Sequence, residues 1–78
     1  MAKLVFMGRL EDVAGAAELL VEPGPVEQVL AGLDPALAVQ LLGERIRMAF
    51  NGRLLTDVGG IVLSQGDELA FLPPVSGG

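Results

Sequence analysis

Short apolar segments stand near both ends of the chain, and each has the composition of a buried strand. The first runs from Lys3 to Met7 and the last from Asp67 to Leu72. Both are too short for a typical helix, and each is followed by Gly or Pro. Because they are the most apolar strand candidates, we predict that they lie next to each other, in parallel, at the centre of one sheet.

The middle of the chain changes to helical periodicity. Pro25 is a typical first helical residue, and Asp34 followed by Pro35 is typical of an N-cap at the start of a second helix. Gly43 predicts the end of that helix. Apolar residues at a spacing of three and four form the predicted packing faces. These are Val26, Val29, Leu30 and Leu33 in the first helix and Leu37, Leu41 and Leu42 in the second.

Strand patterns flank this helical region on both sides. Ala17 to Glu22 predicts a second strand before it, and Ile46 to Phe50 alternates apolar and polar residues after it. The dipeptide Asn51-Gly52 predicts a type I′ hairpin turn, with Arg53 to Thr56 as the returning strand. Ile61 to Leu63 is a short apolar return to the core.

The order strand, strand, helix, helix, strand, strand, strand predicts an α+β fold with one sheet and one helical layer. Parallel first and last strands joined by a long crossover correspond to the β-grasp, or ubiquitin-like, arrangement. We therefore predict a mixed sheet of about five strands packed against one or two helices. The predicted domain spans residues 1–72, and residues 73–78 form a separate C-terminal tail.

Composition narrows the possible functions. The 78 residues are enough for one domain, and a hydrophobic fraction of 51% excludes a disordered chain. The chain has no Cys and no His, so thiol chemistry, disulfides and the usual neutral-pH base are excluded, and we predict no metal site. A net charge of −5 argues against nucleic-acid binding. No apolar run reaches the length of a membrane span, and Arg9, Glu11 and Asp12 interrupt any signal peptide, so we expect a cytoplasmic protein.

The last residues predict an extended projection. Pro73 and Pro74 lack N–H donors and end the final strand, and they hold the chain extended. The six residues from Pro73 to Gly78 reach about 20 Å at about 3.3 Å per residue. Gly77 and Gly78 have no side chains, so this end is thin enough to enter a narrow pocket of another protein.

Four segments together carry a resemblance to a known family. They are Lys3-Leu4-Val5-Phe6, Phe50-Asn51-Gly52, Gly66-Asp67-Glu68-Leu69-Ala70-Phe71-Leu72 and the ending Pro73-Pro74-Val75-Ser76-Gly77-Gly78. In length and motif order the whole chain resembles the MoaD/ThiS ubiquitin-like sulfur carriers. The paired prolines make it most similar to the MoaD group, the small subunits of molybdopterin synthase, because ThiS-type carriers of thiamine biosynthesis usually lack them.

The resemblance implies that the Gly78 carboxylate is adenylated and then converted to a thiocarboxylate. An adenylating enzyme (MoeB-like) would use ATP for this step, and no cofactor is bound by this chain. The large synthase subunit (MoaE-like) would then take up the tail, and sulfur would pass to the pterin precursor of the molybdenum cofactor. Catalytic residues would lie on the partners. Tail residues Val75, Ser76 and Gly77 would contact the partner.

Two residues before the tail need separate assignment. Strand alternation places either Phe71 or Leu72 outward, and we predict that Leu72 faces the partner while Phe71 joins the core. Two other functions are compatible with the same ending. One is a ubiquitin-like modifier joined to target lysines through Gly78, and the other is a binding module with an inert tail. An independent enzyme is disfavoured, since Asp57 and Asp67 have the sequence context of turn residues.

Overall fold

The computed structural model describes residues 1–43, 45–57 and 59–74. The strands and helices follow the predicted order, with a short helix after the first strand and one strand pair in addition. The elements are β1 (Ala2–Phe6), α1 (Leu10–Ala14), β2 (Glu18–Val21), β3 (Gly24–Pro25), α2 (Val26–Ala31), α3 (Pro35–Leu41), β4 (Arg47–Phe50), β5 (Arg53–Leu55), β6 (Val62–Leu63) and β7 (Glu68–Leu72).

A five-stranded mixed sheet forms one layer, in the order β2-β1-β7-β4-β5. The first and last strands, β1 and β7, are parallel and central, with Lys3 opposite Glu68 and Phe6 opposite Phe71. The pairs β1–β2, β4–β5 and β4–β7 are antiparallel. The predicted β-grasp fold, with a mixed sheet of about five strands packed against helices, is confirmed.

The core lies between this sheet and the helices. Side chains alternate along β1 and β7, and every second one is buried. In the helices, Val26 and Leu30 of α2 and Leu37 and Leu41 of α3 are buried. The other buried apolar residues are Ala2, Leu4, Phe6, Leu10, Leu63, Leu69 and Phe71.

Two details of the helices differ from the prediction. Helix α2 begins at Val26, because Pro25 has an extended ψ of 137° and precedes the helix. Leu42, which was predicted to pack, is 59% exposed. It follows the last residue of α3 and has φ −90° and ψ 5°, so it no longer follows the helical periodicity of Leu37 and Leu41.

A second, two-stranded sheet was not predicted. Gly24 and Pro25 of β3 pair antiparallel with Leu63 and Val62 of β6. The N–H of Val26 continues this pairing, since it donates to the carbonyl of Ile61 over 3.0 Å. The pair attaches the start of α2 to the loop that precedes β7.

The predicted Asn51-Gly52 turn is confirmed, because both residues have positive φ, at 49° and 85°. Asn51 also ties the turn to the start of β7. Its side-chain oxygen accepts from the N–H of Glu68 over 2.8 Å, and its amide nitrogen donates to Asp67 over 3.1 Å. The N–H of Ser64 donates to the other carboxylate oxygen of Asp67 over 2.8 Å.

These contacts predict a pH-dependent contribution of Asp67 to stability. The hydrogen bond from the Ser64 N–H, followed by that from Asn51, lowers the pKa of Asp67 below its ordinary value of 3.8. Because the pKa is lower in the folded state than in the unfolded state, the ionised side chain stabilises the fold at pH values above the unfolded-state pKa. This stabilisation is lost as the pH falls through the folded-state pKa. We expect Asp67→Asn to have a lower Tm than the wild type at neutral pH.

The difference in Tm should shrink as the pH falls below 3.8. Thermal unfolding followed by circular dichroism at a series of pH values measures it. A difference that stays constant down to strongly acidic pH would show that the charge of Asp67 does not act through these bonds.

Candidate functional site

The central strand β7 carries the chain to its C-terminal segment. Phe71 is fully buried, whereas Leu72 is half-buried on the open face of the sheet, the face without helices. Leu72 lies opposite Arg47 of β4 in the antiparallel pairing. The structure thus places Phe71 in the core and Leu72 outward, in the orientation predicted from strand alternation.

A stacked aromatic pair fixes this end of β7. The rings of Phe6 and Phe71 lie with their centroids 5.7 Å apart and their planes 11° apart. The N–H of Met7 donates to the carbonyl of Phe71 over 3.0 Å. Pro73, two residues further on, has no N–H, so the strand ends at Leu72. The C-terminal segment therefore leaves the sheet from a rigid position.

Gly8 lies directly beside the start of this segment. It has a left-handed φ of +54°, and a Cβ atom at this position would lie 3.1 Å from Cγ of Pro73. Pro73 and Pro74 are both half-buried. The proline ring therefore packs on the backbone of the turn after β1. Gly8 was expected only to end the first strand. Its place directly after the predicted central strand Lys3 to Met7 is the signal that could have suggested this role.

The predicted site residues divide into two groups. Leu72, Pro73 and Pro74 lie together at the end of β7. Val75, Ser76, Gly77 and Gly78 lie outside the described residues. The boundary between a domain of residues 1–72 and a tail of residues 73–78 stays a prediction.

Gly8→Ala is expected to be unfavourable for two separate reasons. A left-handed φ costs a residue with a side chain about 1–3 kcal/mol, and the new methyl group would also push against Pro73. Gly15 is a matched control, because it has φ +80° and an added Cβ would meet nothing within 4 Å. We expect Gly8→Ala to lose more unfolding free energy than Gly15→Ala in urea denaturation.

Only Gly8→Ala should also shift the amide resonance of Leu72 in an NMR spectrum. Equal losses of stability in the two variants, with an unchanged Leu72 resonance, would contradict a packing role for Gly8.

The open face of the sheet beside Leu72 has apolar side chains as well as the charged Arg47. A row of residues crosses four adjacent strands at matching register positions, with Leu54 at its edge 61% exposed. The row consists of Val5, Ala70, Ala49 and Leu54. Its side chains are all aliphatic, so this surface is suited to apolar contact with another protein.

The described residues carry no cluster of side chains suited to a metal ion. Within residues 1–43, 45–57 and 59–74, no three acidic side chains lie close enough together to hold a metal ion. None of the helices in these ranges is long and apolar enough to cross a bilayer.

Comparison with protein families agrees with this geometry. The model of the ThiS family matches residues 4–78, which include the C-terminal segment. The chain belongs to the ThiS family. This family contains ubiquitin-like sulfur carriers and modifiers that work with partner enzymes. No curated protein matches the sequence.

Solved structures with the same fold include two archaeal modifiers. The small archaeal modifier protein 1 of Methanosarcina acetivorans is 30% identical, with a TM-score of 0.80 over 99% of this chain and 95% of that protein. The protein of the same name from Haloferax volcanii is 29% identical, with a TM-score of 0.73 over 99% and 98% of the two chains. A putative molybdopterin converting factor, subunit 1, from Pyrococcus furiosus is 23% identical and has a TM-score of 0.66 over 95% and 97%. This last similarity shows the fold alone.

Proposed function

We propose that this ThiS-family protein is the sulfur-carrying small subunit of a molybdopterin synthase. The observation that carries the proposal is that the rigid central strand β7 leads directly into Pro73-Pro74-Val75-Ser76-Gly77-Gly78. A thin, proline-stiffened end on a fixed base is suited to insertion into a partner. Stiffness lowers the conformational entropy that is lost on insertion.

The chemistry takes place at the carboxylate of Gly78. A free α-carboxyl group has an ordinary pKa of about 3.5 and is ionised at neutral pH, which makes it a poor acyl donor. Its oxygen attacks the α-phosphorus of ATP, pyrophosphate leaves, and an acyl-adenylate forms. A sulfur donor then displaces AMP and leaves a thiocarboxylate. The chain supplies this end group, and it contains neither His nor Cys.

Two partners are required by this sequence of steps. A MoeB-like adenylating enzyme binds ATP and activates Gly78, and a MoaE-like large subunit receives the tail and passes the sulfur to a pterin precursor. We propose that Leu72 and the apolar row on the open face contact these partners. Residues Pro73 to Gly78 then occupy their narrow channels.

A modifier function is the second candidate, and the 30% identity to a small archaeal modifier protein favours it. In that case the activated Gly78 is transferred to the amino group of a target lysine. Activation is the same in both functions, so the sequence motif supports both. A ThiS-type carrier for thiamine biosynthesis shares the Gly-Gly ending, but the proline pair favours the molybdopterin assignment.

The test is incubation of the intact protein with ATP, a MoeB-like enzyme and a sulfide source, followed by mass spectrometry. We expect first an AMP adduct, and then a mass gain equal to the difference between a sulfur and an oxygen atom. Addition of a MoaE-like subunit with the pterin precursor should restore the original mass. Isopeptide-linked products on other proteins would instead support the modifier. Sulfur transfer only to a thiazole-forming enzyme would support the thiamine pathway.

A further inference from the structure

A groove lies between strand β2 and helix α2. Its volume is about 430 Å³, and its wall is mainly apolar, formed by Leu19 and Val21 of the strand and Val29 and Leu33 on the side of the helix. Glu22 and Gln28 add polar groups to the lining. None of these residues belongs to the C-terminal segment or to the open face beside Leu72.

Strand β2 is an edge of the sheet, because the order ends with it. The direction of its backbone groups follows from its register. The N–H of Phe6 donates to the carbonyl of Ala17. Backbone groups at alternate positions of an antiparallel strand point the same way, so the N–H and C=O groups of Leu19 and Val21 also face β1. The N–H and C=O groups of Glu18 and Leu20 therefore point away from the sheet. Leu20 at the centre of this edge is 61% exposed.

We propose that this edge and groove bind an extended segment of a partner protein, which adds to the sheet beside β2 and alternates apolar residues with Lys or Arg. Free backbone groups beside an apolar groove are the two requirements for recognition by strand addition. Residues of the added strand that lie opposite Leu19 and Val21 would point into the groove. Their neighbours would lie opposite Glu18 and Leu20 and point to the open face.

The charges at this edge determine which residues suit the outward-pointing positions of the added strand. Glu18 and Glu22 lie two residues to either side of Leu20. Within the part of the chain that the structure describes, Glu18 has a cation within 4 Å, Lys3 at 3.5 Å, and Glu22 has none. Opposite charges on facing strands are favourable, and like charges are not. Lys or Arg at the outward positions of the added strand therefore fits this edge.

The same charges disfavour a second copy of this chain as the occupant. Symmetric antiparallel pairing of two β2 strands about Leu20 would place Glu18 of each copy opposite Glu22 of the other. An exposed apolar edge otherwise tends to pair with itself. The acidic residues thus act against self-association and leave a basic partner as the favoured occupant.

The proposed site lies away from the C-terminal segment. Val21 pairs with Ala2, at the start of β1, whereas Leu72 follows Phe71, which pairs with Phe6 at the end of β1. Glu22, Pro23 and Gly24 extend the groove further in the direction away from Leu72. A partner could therefore hold the tail while a second protein occupies the groove.

The test is NMR titration of the labelled full chain with a capped peptide of alternating valine and lysine. We expect saturable shifts of the amides of Glu18, Leu20 and Glu22 and of residues 28–33, at and just after the end of α2. N-methylation of the peptide's lysine amides, which would face β2, should abolish binding. N-methylation of its valine amides, which would face solvent, should not. A peptide with glutamate in place of lysine should not bind.

Leu20→Pro removes the outward N–H and leaves the pairing with β1 intact, because Pro is tolerated where the N–H faces away from the sheet. Loss of such a bond is expected to weaken peptide binding about two- to tenfold. Leu54→Pro is the matched control on the opposite edge of the sheet. Leu54 is also 61% exposed, and its backbone N–H likewise points away from the neighbouring strand of its hairpin. It should bind the peptide like the wild type.

Three results would overturn the proposal. The first is a titration without shifts in β2, the second is equal binding of the two N-methylated peptides, and the third is concentration-dependent dimerisation through β2 in place of peptide binding. None of these results depends on sulfur transfer, so the outcome is independent of the function proposed for Gly78.

Discussion

A variant with one alanine added after Gly78 is expected to lose thiocarboxylate formation by about a hundredfold or more. The reacting carboxylate would move by one residue, about 3.3 Å, and would bring a methyl group into a channel that admits glycine. Displacement of a reacting group by about 1 Å already costs up to about a hundredfold in rate. The measurement is the rate of AMP transfer and sulfur incorporation, followed by intact mass.

The matched control adds the same alanine before Met1, at the other end of the chain. It interferes only with surface hydrogen bonds, such as the one from the terminal amino group to Gln65 over 2.7 Å. This variant should be activated at close to the wild-type rate, and both variants should have wild-type circular dichroism. Unchanged activation of the variant extended after Gly78 would contradict a channel that admits only a glycine end, and a mass adduct located away from the new terminus would exclude the terminal carboxylate as the reacting group.

Much of the fold was predictable because local physical chemistry determined it. The Asn51-Gly52 turn requires two residues that tolerate positive φ, and few other dipeptides do. Asp34 caps α3 as predicted, since its carboxylate accepts from the N–H groups of Ala36 over 3.1 Å and Leu37 over 3.3 Å. The two most apolar strands, β1 and β7, are central, because each pairs with a strand on both sides and places every second side chain in the core.

Features that depend on distant parts of the chain were not predictable. The pairing of Gly24 with Leu63 joins segments that are far apart in sequence and too short to have a strand pattern of their own. Contact between Gly8 and Pro73 likewise depends on the parallel alignment of β1 and β7. Leu42 was misassigned because the end of a helix, and not its period, determines which way the last side chain points.

The candidate site shows the same division. The ending from Pro73 to Gly78 was recognisable as a motif, since its chemistry resides in the residue types themselves. The base from which it leaves the sheet became clear only with the fold. The acidic edge of β2 beside an apolar groove could not be inferred at all without the strand order, because the sequence does not say which strand lies at the edge.

Phe71→Ala is the substitution with the largest expected effect on stability. The side chain is fully buried and stacks on Phe6. Removal of a buried Phe side chain costs about 3–5 kcal/mol. At about 0.05–0.15 kcal/mol per residue, a chain of 78 residues has a total stability of about 4–12 kcal/mol. We therefore expect Tm to fall by about 12–40 °C, with part of the protein unfolded at 37 °C, as measured by urea and thermal denaturation.

The neighbouring substitution Leu72→Ala separates stability from recognition. Leu72 is half-buried on the open face, so its truncation should cost about 1 kcal/mol of unfolding free energy, a typical value for a point substitution. It should nevertheless weaken binding to the MoaE-like subunit several-fold in titration calorimetry, because it removes an apolar contact at the base of the tail. Equal destabilisation by the two substitutions would mean that Leu72 is also a core residue. Unchanged binding of Leu72→Ala would restrict partner recognition to the residues after Leu72 and to the rest of the open face.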